Sequence, residues 1–287
     1  MAAAMAPMPL SAPGPAPAIE APAWPARRTA STAGLPLRWM VLPAAILVLY
    51  LAFPVLRLLW AGAPGLAGAL LAPAVQRSLL ITLLTAAAAT GMGLLLATPL
   101  GYLLARRRFW GQRALRAFLD LPLVIPHPVV GIALLLVFAR ETLAGRALAV
   151  LRLHLVGTAA GVTAAMVFVA CPYLIHACRD GFLAVDPRYE QLARTLGRRP
   201  GAVFWRVSLP LARGPIVSGA VMMFARAVSE FGALIILAYN PRVISILLYD
   251  RFATYGLGAA LPVAALALVV GFGLLWALSG LEARRGS

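Results

Sequence analysis

An all-α, polytopic bundle of membrane-crossing helices is the fold class this sequence predicts, and three observations predict it. Hydrophobic residues make up 62% of the 287 residues and charged residues 12%, with a mean hydropathy of +0.90, outside the range of soluble globular domains. Six apolar runs are each about 20 residues long, enough to cross a hydrocarbon core of about 30 Å as a helix. None of them alternates in the strand-like way that a barrel requires.

In chain order, residues 1–38 are rich in Ala and Pro, a composition that builds no packed core, and are expected to form a disordered cytoplasmic tail. No short apolar core with a small-residue cleavage site marks a signal peptide there. The transmembrane domain is placed at residues 39–280, with spans over 39–59, 79–104, 118–139, 155–177, 214–238 and 258–279, and a short cytoplasmic tail at 281–287. In the third run Pro122, Pro126 and Pro128 flank His127 and remove backbone donors, so that helix is expected to start late or to kink. Broken helices can line transport sites, and a simple kink is the plainer reading.

The basic charge is all arginine: the chain has no lysine, and 25 arginines against 9 acidic residues give a formal +16. Such a charge ordinarily points to nucleic acid. Here the arginines cluster between apolar runs, which is how a membrane protein orients itself. With both termini in the cytoplasm, seventeen arginines fall in cytoplasmic segments and five in outer loops. The expectation is a multi-pass protein of the cytoplasmic (inner) membrane, in contact with lipid and with no nucleic-acid partner.

Catalytic chemistry finds little support. Cys171 and Cys178 are separated by a rise of about 10 Å if they share a helix, too far for a bridge. His127, His154 and His176 have no Cys, Asp or Glu at ligand-like spacing, so no metal or cofactor is expected. A membrane-embedded enzyme needs a nucleophile, a base or metal ligands at one depth, and Asp120, Glu230, the histidines and the cysteines suggest no such arrangement. Without lysine there is no Gly-x-x-x-x-Gly-Lys-Ser/Thr loop, so any ATP hydrolysis must come from another chain. A gated channel working without ATP is a further alternative.

The least membrane-like stretch is "DPRYEQLARTLGRRPGAVFWRVSLP", residues 186–210. Asp186 suits an N-cap and Pro187 a first helical position, so a short helix is predicted to run to about Leu196 and stop at Gly197. Pro200 starts a second helix that Pro210 is expected to end, with Leu192, Leu196, Phe204 and Val207 as apolar anchors. By the arginine count, this helix–turn–helix is the longest cytoplasmic loop.

Its spacing resembles the cytoplasmic loop of ABC importer permeases, which carries Glu-Ala-Ala, three residues, Gly, nine residues, then Ile, any residue, Leu-Pro. Here the text reads Gln191-Leu192-Ala193, three residues, Gly197, nine residues, and Val207-Ser208-Leu209-Pro210. The usual Glu is Gln191, and Glu190 supplies a carboxylate one position earlier. The resemblance extends through "RSLLITLLTA", "DLPLVIPHPVVGIALL" and "FARAVSEFGALIILAYN", which look like permeases of the molybdate, tungstate and sulfate group. The last, with the "PRVISILLYDRFATYGLGAALPVAALAL" that follows, is most similar to the molybdate/tungstate branch.

That resemblance implies a permease subunit, not itself an enzyme, that moves an oxyanion by alternating access, molybdate or tungstate first and sulfate or thiosulfate as the alternative. It implies a cytoplasmic ABC ATPase, an extracytoplasmic oxyanion-binding protein and a second permease copy forming a homodimer. It also implies that the loop docks into the ATPase through Glu190, Gln191, Leu192, Ala193, Gly197, Phe204, Leu209 and Pro210. An amphipathic helix resting on lipid headgroups is the other reading of the same loop.

Within the fifth run Arg226 and Glu230 are four residues apart, hence neighbours on one helical face. Charges inside a membrane tend to face a partner or a watery cavity. The pair is either a candidate for the translocation path, with Arg226 as counter-charge to an anion, or a structural ion pair between helices.

Overall fold

The computed structural model describes residues 37–286, so the expected tail over residues 1–36 lies outside the described residues. The chain falls into two units, Met1–Tyr50 and Leu51–Ser287. In the first, the described backbone is the beginning of helix α1 (Leu37–Gly62), and every side chain from Trp39 to Tyr50 is exposed. A helix this apolar with no buried face needs lipid as its solvent.

In the second unit a 3₁₀ turn at Ala63–Gly65 leads into α2 (Leu66–Leu71) and the long α3 (Pro73–Arg106). Then follow α4 (Gln112–Val124), α5 (His127–Phe138), α6 (Leu143–Val150) and α7 (Ala159–Ala184). Next are α8 (Pro187–Thr195), α9 (Pro200–Val203), a π-helical segment Phe204–Ser208, and α10 (Leu209–Leu211). The chain closes with α11 (Arg213–Val228), α12 (Leu234–Leu237), α13 (Ile244–Tyr255) and α14 (Leu257–Gly286).

Helix α7 is the core of this unit. Val162, Met166, Ala170, Leu174, Cys178 and Phe182 recur every four residues and are all fully buried, a stripe that α3 and α11 cover from two sides. Small residues let the backbones meet, as expected where apolar lipid offers no hydrophobic drive between helices. A methyl group added at Gly101 of α3 would stand 2.6 Å from Cys178 Cβ, and Gly219 of α11 lies as closely against Ala177. Buried hydroxyls are satisfied within their helices: Thr82 donates to the Ser78 carbonyl at 2.7 Å and accepts from the Ile244 N–H at 2.9 Å, which pins the start of α13 to α3.

Among the described residues four helices are long and apolar enough to cross a membrane: Trp39–Leu71, Pro73–Arg106, Ala159–Ala184 and Leu257–Ala277. Two bent pairs would bring the number to six if each counts as one span, Gln112–Val124 with His127–Phe138 at 114° and Pro200–Leu211 with Arg213–Val228 at 73°. The first bend falls in the proline-rich part of the third run. Ile125, held extended by the proline after it, ends α4, and His127 and Pro128 open α5.

The fifth run departs from the continuous helix expected over 214–238. Helix α11 stops at Val228, and the chain turns through Ser229–Gly232 before the single turn of α12. The cause is Glu230: its Oε1 accepts the Ala233 N–H at 2.9 Å, a side-chain contact where a helix would use a carbonyl.

Candidate functional site

The 186–210 stretch folds as two helices around a glycine hinge. Asp186 Oδ1 accepts the Arg188 N–H at 2.9 Å and Pro187 occupies the first turn, a capped start for α8. At the other end the Gly197 N–H bonds the Arg194 carbonyl at 2.9 Å and the Arg198 N–H bonds the Ala193 carbonyl at 3.1 Å. This is a Schellman closure, and Gly197 supplies the left-handed residue it requires, at φ +78°.

The second helix does not end at Pro210 as the sequence suggested. Pro210 has no N–H to offer the Arg206 carbonyl, and the chain accommodates it with the π segment, in which Leu209 N–H reaches back to Phe204 O. Helical backbone then continues through Leu211 and bends at Ala212 into α11.

What fixes this hairpin to the membrane helices is a buried polar knot absent from the sequence reading. Glu190 Oε1 accepts from Arg106 Nε at 2.8 Å and from Ser208 Oγ at 2.8 Å, while Oε2 accepts from the Tyr102 hydroxyl at 3.2 Å. Arg106 Nη2 also donates to the Val185 carbonyl at 2.9 Å. One carboxylate therefore ties α8, the π segment and the end of α3 together. Beside it Tyr102 meets Phe182 and Phe204 edge to face, the three ring centroids lying 5.0–6.0 Å apart.

The knot sorts the loop candidates into two sets. Glu190 is buried, and Phe204 and Leu209 are partly buried against the core. Gln191, Leu192, Gly197 and Pro210 are exposed, with Ala193 between, and Leu196 and Trp205 are exposed as well. The open face is thus built of Gln191, Leu192, Leu196, Gly197 and Trp205, ringed by arginines. Glu190 and Phe204 hold that face in place from behind. One of only two acidic residues in an arginine-rich loop, and the one not spent on the cap, was the available signal; its partner Arg106, 84 residues away, was not legible.

Arg226 and Glu230 are brought together as their spacing predicted, with Arg226 Nη2 2.9 Å from Glu230 Oε2. The structure adds His127 from the start of α5. Its Nδ1 lies 3.0 Å from Glu230 Oε2, and Arg226 Nη2 stands 2.7 Å from that same ring nitrogen. Gly131 and Gly232 allow the approach, since a methyl group on Gly232 would lie 2.6 Å from His127 Cβ and one on Gly131 2.6 Å from the Ala233 carbonyl. Ser245 donates to the Glu230 carbonyl at 2.7 Å.

Glu230 is wholly enclosed, whereas the side chains of Arg226 and His127 keep 18% and 34% of their surface open. The carboxylate is therefore a fixed anchor, and the cation and the imidazole are the parts able to meet a solute. A second histidine also has an acidic partner, His176 Nε2 lying 2.6 Å from Asp120 Oδ1 between α7 and α4. Among the described residues no group of three His, Cys, Asp or Glu could hold a metal ion, and both cysteines are free.

Residues 97–286 match the profile of the family described as "Binding-protein-dependent transport system inner membrane component". The chain is 42% identical over 215 residues to the "Molybdate/tungstate transport system permease protein WtpB" of Thermococcus kodakarensis, 75% of this chain and 82% of that protein. It is 37% identical over 249 residues to the "Molybdenum transport system permease protein ModB" of Mycobacterium tuberculosis, 82% of this chain and 93% of that one. A protein of Zygnema circumcarinatum, "Probable sulfate transport system permease protein cysT", is 29% identical over 219 residues, 75% of this chain and 76% of its own length. Among solved structures, a bacterial alginate ABC transporter in complex with an alginate-bound periplasmic protein shares the fold. Its TM-score is 0.70 at 17% identity, over 86% of this chain and 94% of the matched chain.

Proposed function

Because this chain belongs to the family of binding-protein-dependent transport system inner membrane components, we propose that it is the permease subunit of an ATP-driven importer of molybdate or tungstate. The relatives named for those two oxyanions are 34–42% identical, against 29% for the relative named for sulfate, and this difference carries the choice of substrate. The helical hairpin carries the choice of mechanism. It presents an exposed face of Gln191, Leu192 and Leu196 on a support made rigid by Glu190, Arg106 and the aromatic cluster.

In this reading a separate ATPase docks on that face by the helix-in-groove mode, and its closure moves α8 as a lever. Because Glu190 joins α8 to the end of α3 and to the start of the bent α10–α11 pair, motion of the lever reaches two spans at once. Two copies of this chain enclose the path, an external binding protein delivers the anion, and both termini lie in the cytoplasm, as the arginine count favours. Arg226 and His127 meet the anion as it passes, with Glu230 setting their position. Arg226 is already partly neutralised by Glu230, which keeps the contact weak enough to release.

Reconstitution of this chain in vesicles with its ATPase and binding protein tests the proposal through uptake of radiolabelled molybdate and sulfate. ATP-dependent molybdate uptake that excess tungstate suppresses and excess sulfate does not is the expected result. Preferential sulfate uptake would overturn the substrate, and uptake without ATP would overturn the mechanism.

A further inference from the structure

At the bend between α3 and α4 lies an open cleft of about 1040 Å³ whose wall carries Arg106, Arg107, Arg108, Arg113, Arg116 and Arg179 and no acidic side chain. Arg106 is neutralised by Glu190, and Arg179 Nη1 is bonded to the exposed Asp180 at 2.9 Å. The side chains of Arg107, Arg108 and Arg113 have no partner among the described residues. Two guanidinium nitrogens, Arg116 Nε and Arg179 Nε, are buried without any hydrogen-bond acceptor in the protein. Buried donors ordinarily have partners, and leaving a charged one unmet is costly.

From this concentration of charge, with the exposed Arg107, Arg108 and Arg113 free to turn toward a ligand, we infer that the cleft binds a tetrahedral phosphate-type oxyanion, presented by an anionic phospholipid headgroup or free in solution. Guanidinium groups suit such an oxyanion because their paired N–H donors match its oxygens. Size and surroundings favour the lipid source. The cleft is far larger than one free anion, and the fully exposed Trp110, next in sequence to the Phe109 of its wall, is a residue that settles at headgroup level. Basic pockets between membrane helices are suited to headgroups of this kind. Because Arg106 is shared between the cleft wall and the Glu190 knot, a bound phosphate would touch the hairpin's own support. The transport reading enters only in placing this end of the protein at the cytoplasmic leaflet.

Native mass spectrometry of the delipidated full chain in detergent tests the site without any transport step. One arm titrates phosphatidylglycerol against phosphatidylcholine with the same acyl chains, and a second adds molybdate or inorganic phosphate as competitor. The expected result is retention of phosphatidylglycerol at about tenfold lower concentration than phosphatidylcholine, with loss of that preference in Arg116→Gln and Arg179→Gln. The combined Arg107→Gln/Arg108→Gln/Arg113→Gln chain, altered only at exposed and unpartnered side chains, should lose most of it while melting like the parent. Displacement by the free anions, or their binding with the same dependence on these arginines, would assign the site to a soluble oxyanion. Equal retention of both lipids with no anion bound, or an unchanged preference in the triple variant, would overturn the proposal and leave the importer reading untouched.

Discussion

Arg106 and Glu190 meet at 2.8 Å with only 12% and 6% of their side chains exposed, joining the last turn of α3 to a helix that begins eighty residues later. Breaking one side of a buried pair leaves an uncompensated charge and costs about 3 kcal/mol. Glu190→Gln should therefore loosen the hairpin, seen as faster tryptic cleavage at Arg194 and Arg198 and a lower melting temperature. The double change with Arg106→Gln should recover part of the loss. Gln191→Glu, one position along and exposed, should change neither measurement; a Glu190→Gln protein as protected as the parent would remove the knot's structural role.

The hairpin's two kinds of apolar residue should fail differently. Leu192 is 61% exposed, whereas Phe204 packs on Tyr102 and Phe182. Leu192→Asp should leave protease protection intact and weaken capture of the partner ATPase. Phe204→Asp should expose the hairpin to protease first and lose the ATPase as a consequence. Equal ATPase capture by Leu192→Asp and the parent, in membranes and at matched amounts, would turn the loop into a helix resting on lipid.

Gly197 allows a cleaner separation of backbone from surface. At φ +78° any side chain is strained by about 1 kcal/mol, yet a Cβ there meets no atom within 4 Å. Gly197→Ala should thus cost only that modest strain and stimulate the ATPase nearly as the parent does. Gly197→Asp adds a charge to the proposed docking face and should cut ATPase stimulation much further at similar stability. Identical stimulation by the two variants would mean the face does not dock.

At the second cluster, the measurements separate anchor from pathway. Glu230→Gln leaves Arg226 and His127 without their carboxylate, while Gln still offers an oxygen to the Ala233 N–H. Arg226→Gln combined with Glu230→Gln should therefore assemble with the proposed ATPase and support its hydrolysis of ATP like the parent. If Arg226 meets the anion, molybdate uptake stays lost in the double variant. Restored uptake would make the cluster a structural ion pair and no more.

How much of this was legible beforehand follows from the range of each interaction. The caps at Asp186 and Gly197, the helix break at Pro126 and the Arg226–Glu230 pair are set within a few residues, and the sequence displays them directly. Glu190 with Arg106, and His127 with Arg226, are separated by 84 and 99 residues, and nothing in composition or period specifies which of many arginines or histidines will arrive. The π segment was missed for another reason: proline ends an isolated helix, whereas here the burial of Val203 and the Ser208–Glu190 hydrogen bond support a chain that stays helical around Pro210. Helix α11 ends early for a local reason, at a carboxylate that takes the Ala233 N–H three residues on.

That early end makes the fifth crossing the one most in need of a test. Helix α11 has 16 residues, a rise of about 24 Å against a hydrocarbon core of about 30 Å. The chain completes the passage only if the turn at Ser229–Gly232 and α12 carry it onward within protein, where non-helical backbone is tolerated because its polar groups are met. The Ala233 N–H on Glu230 and the Ser245 hydroxyl on the Glu230 carbonyl meet them in this way. With Cys171→Ala and Cys178→Ser as background, single cysteines at Gln191 and at Tyr255, both exposed, should react with a membrane-impermeant maleimide from opposite faces of sealed vesicles. Gln191 should label only in inside-out vesicles and Tyr255 only in right-side-out ones. Labelling of both from one face would mean that α11 and α12 re-enter, leaving five crossings and placing the two termini on opposite sides of the membrane.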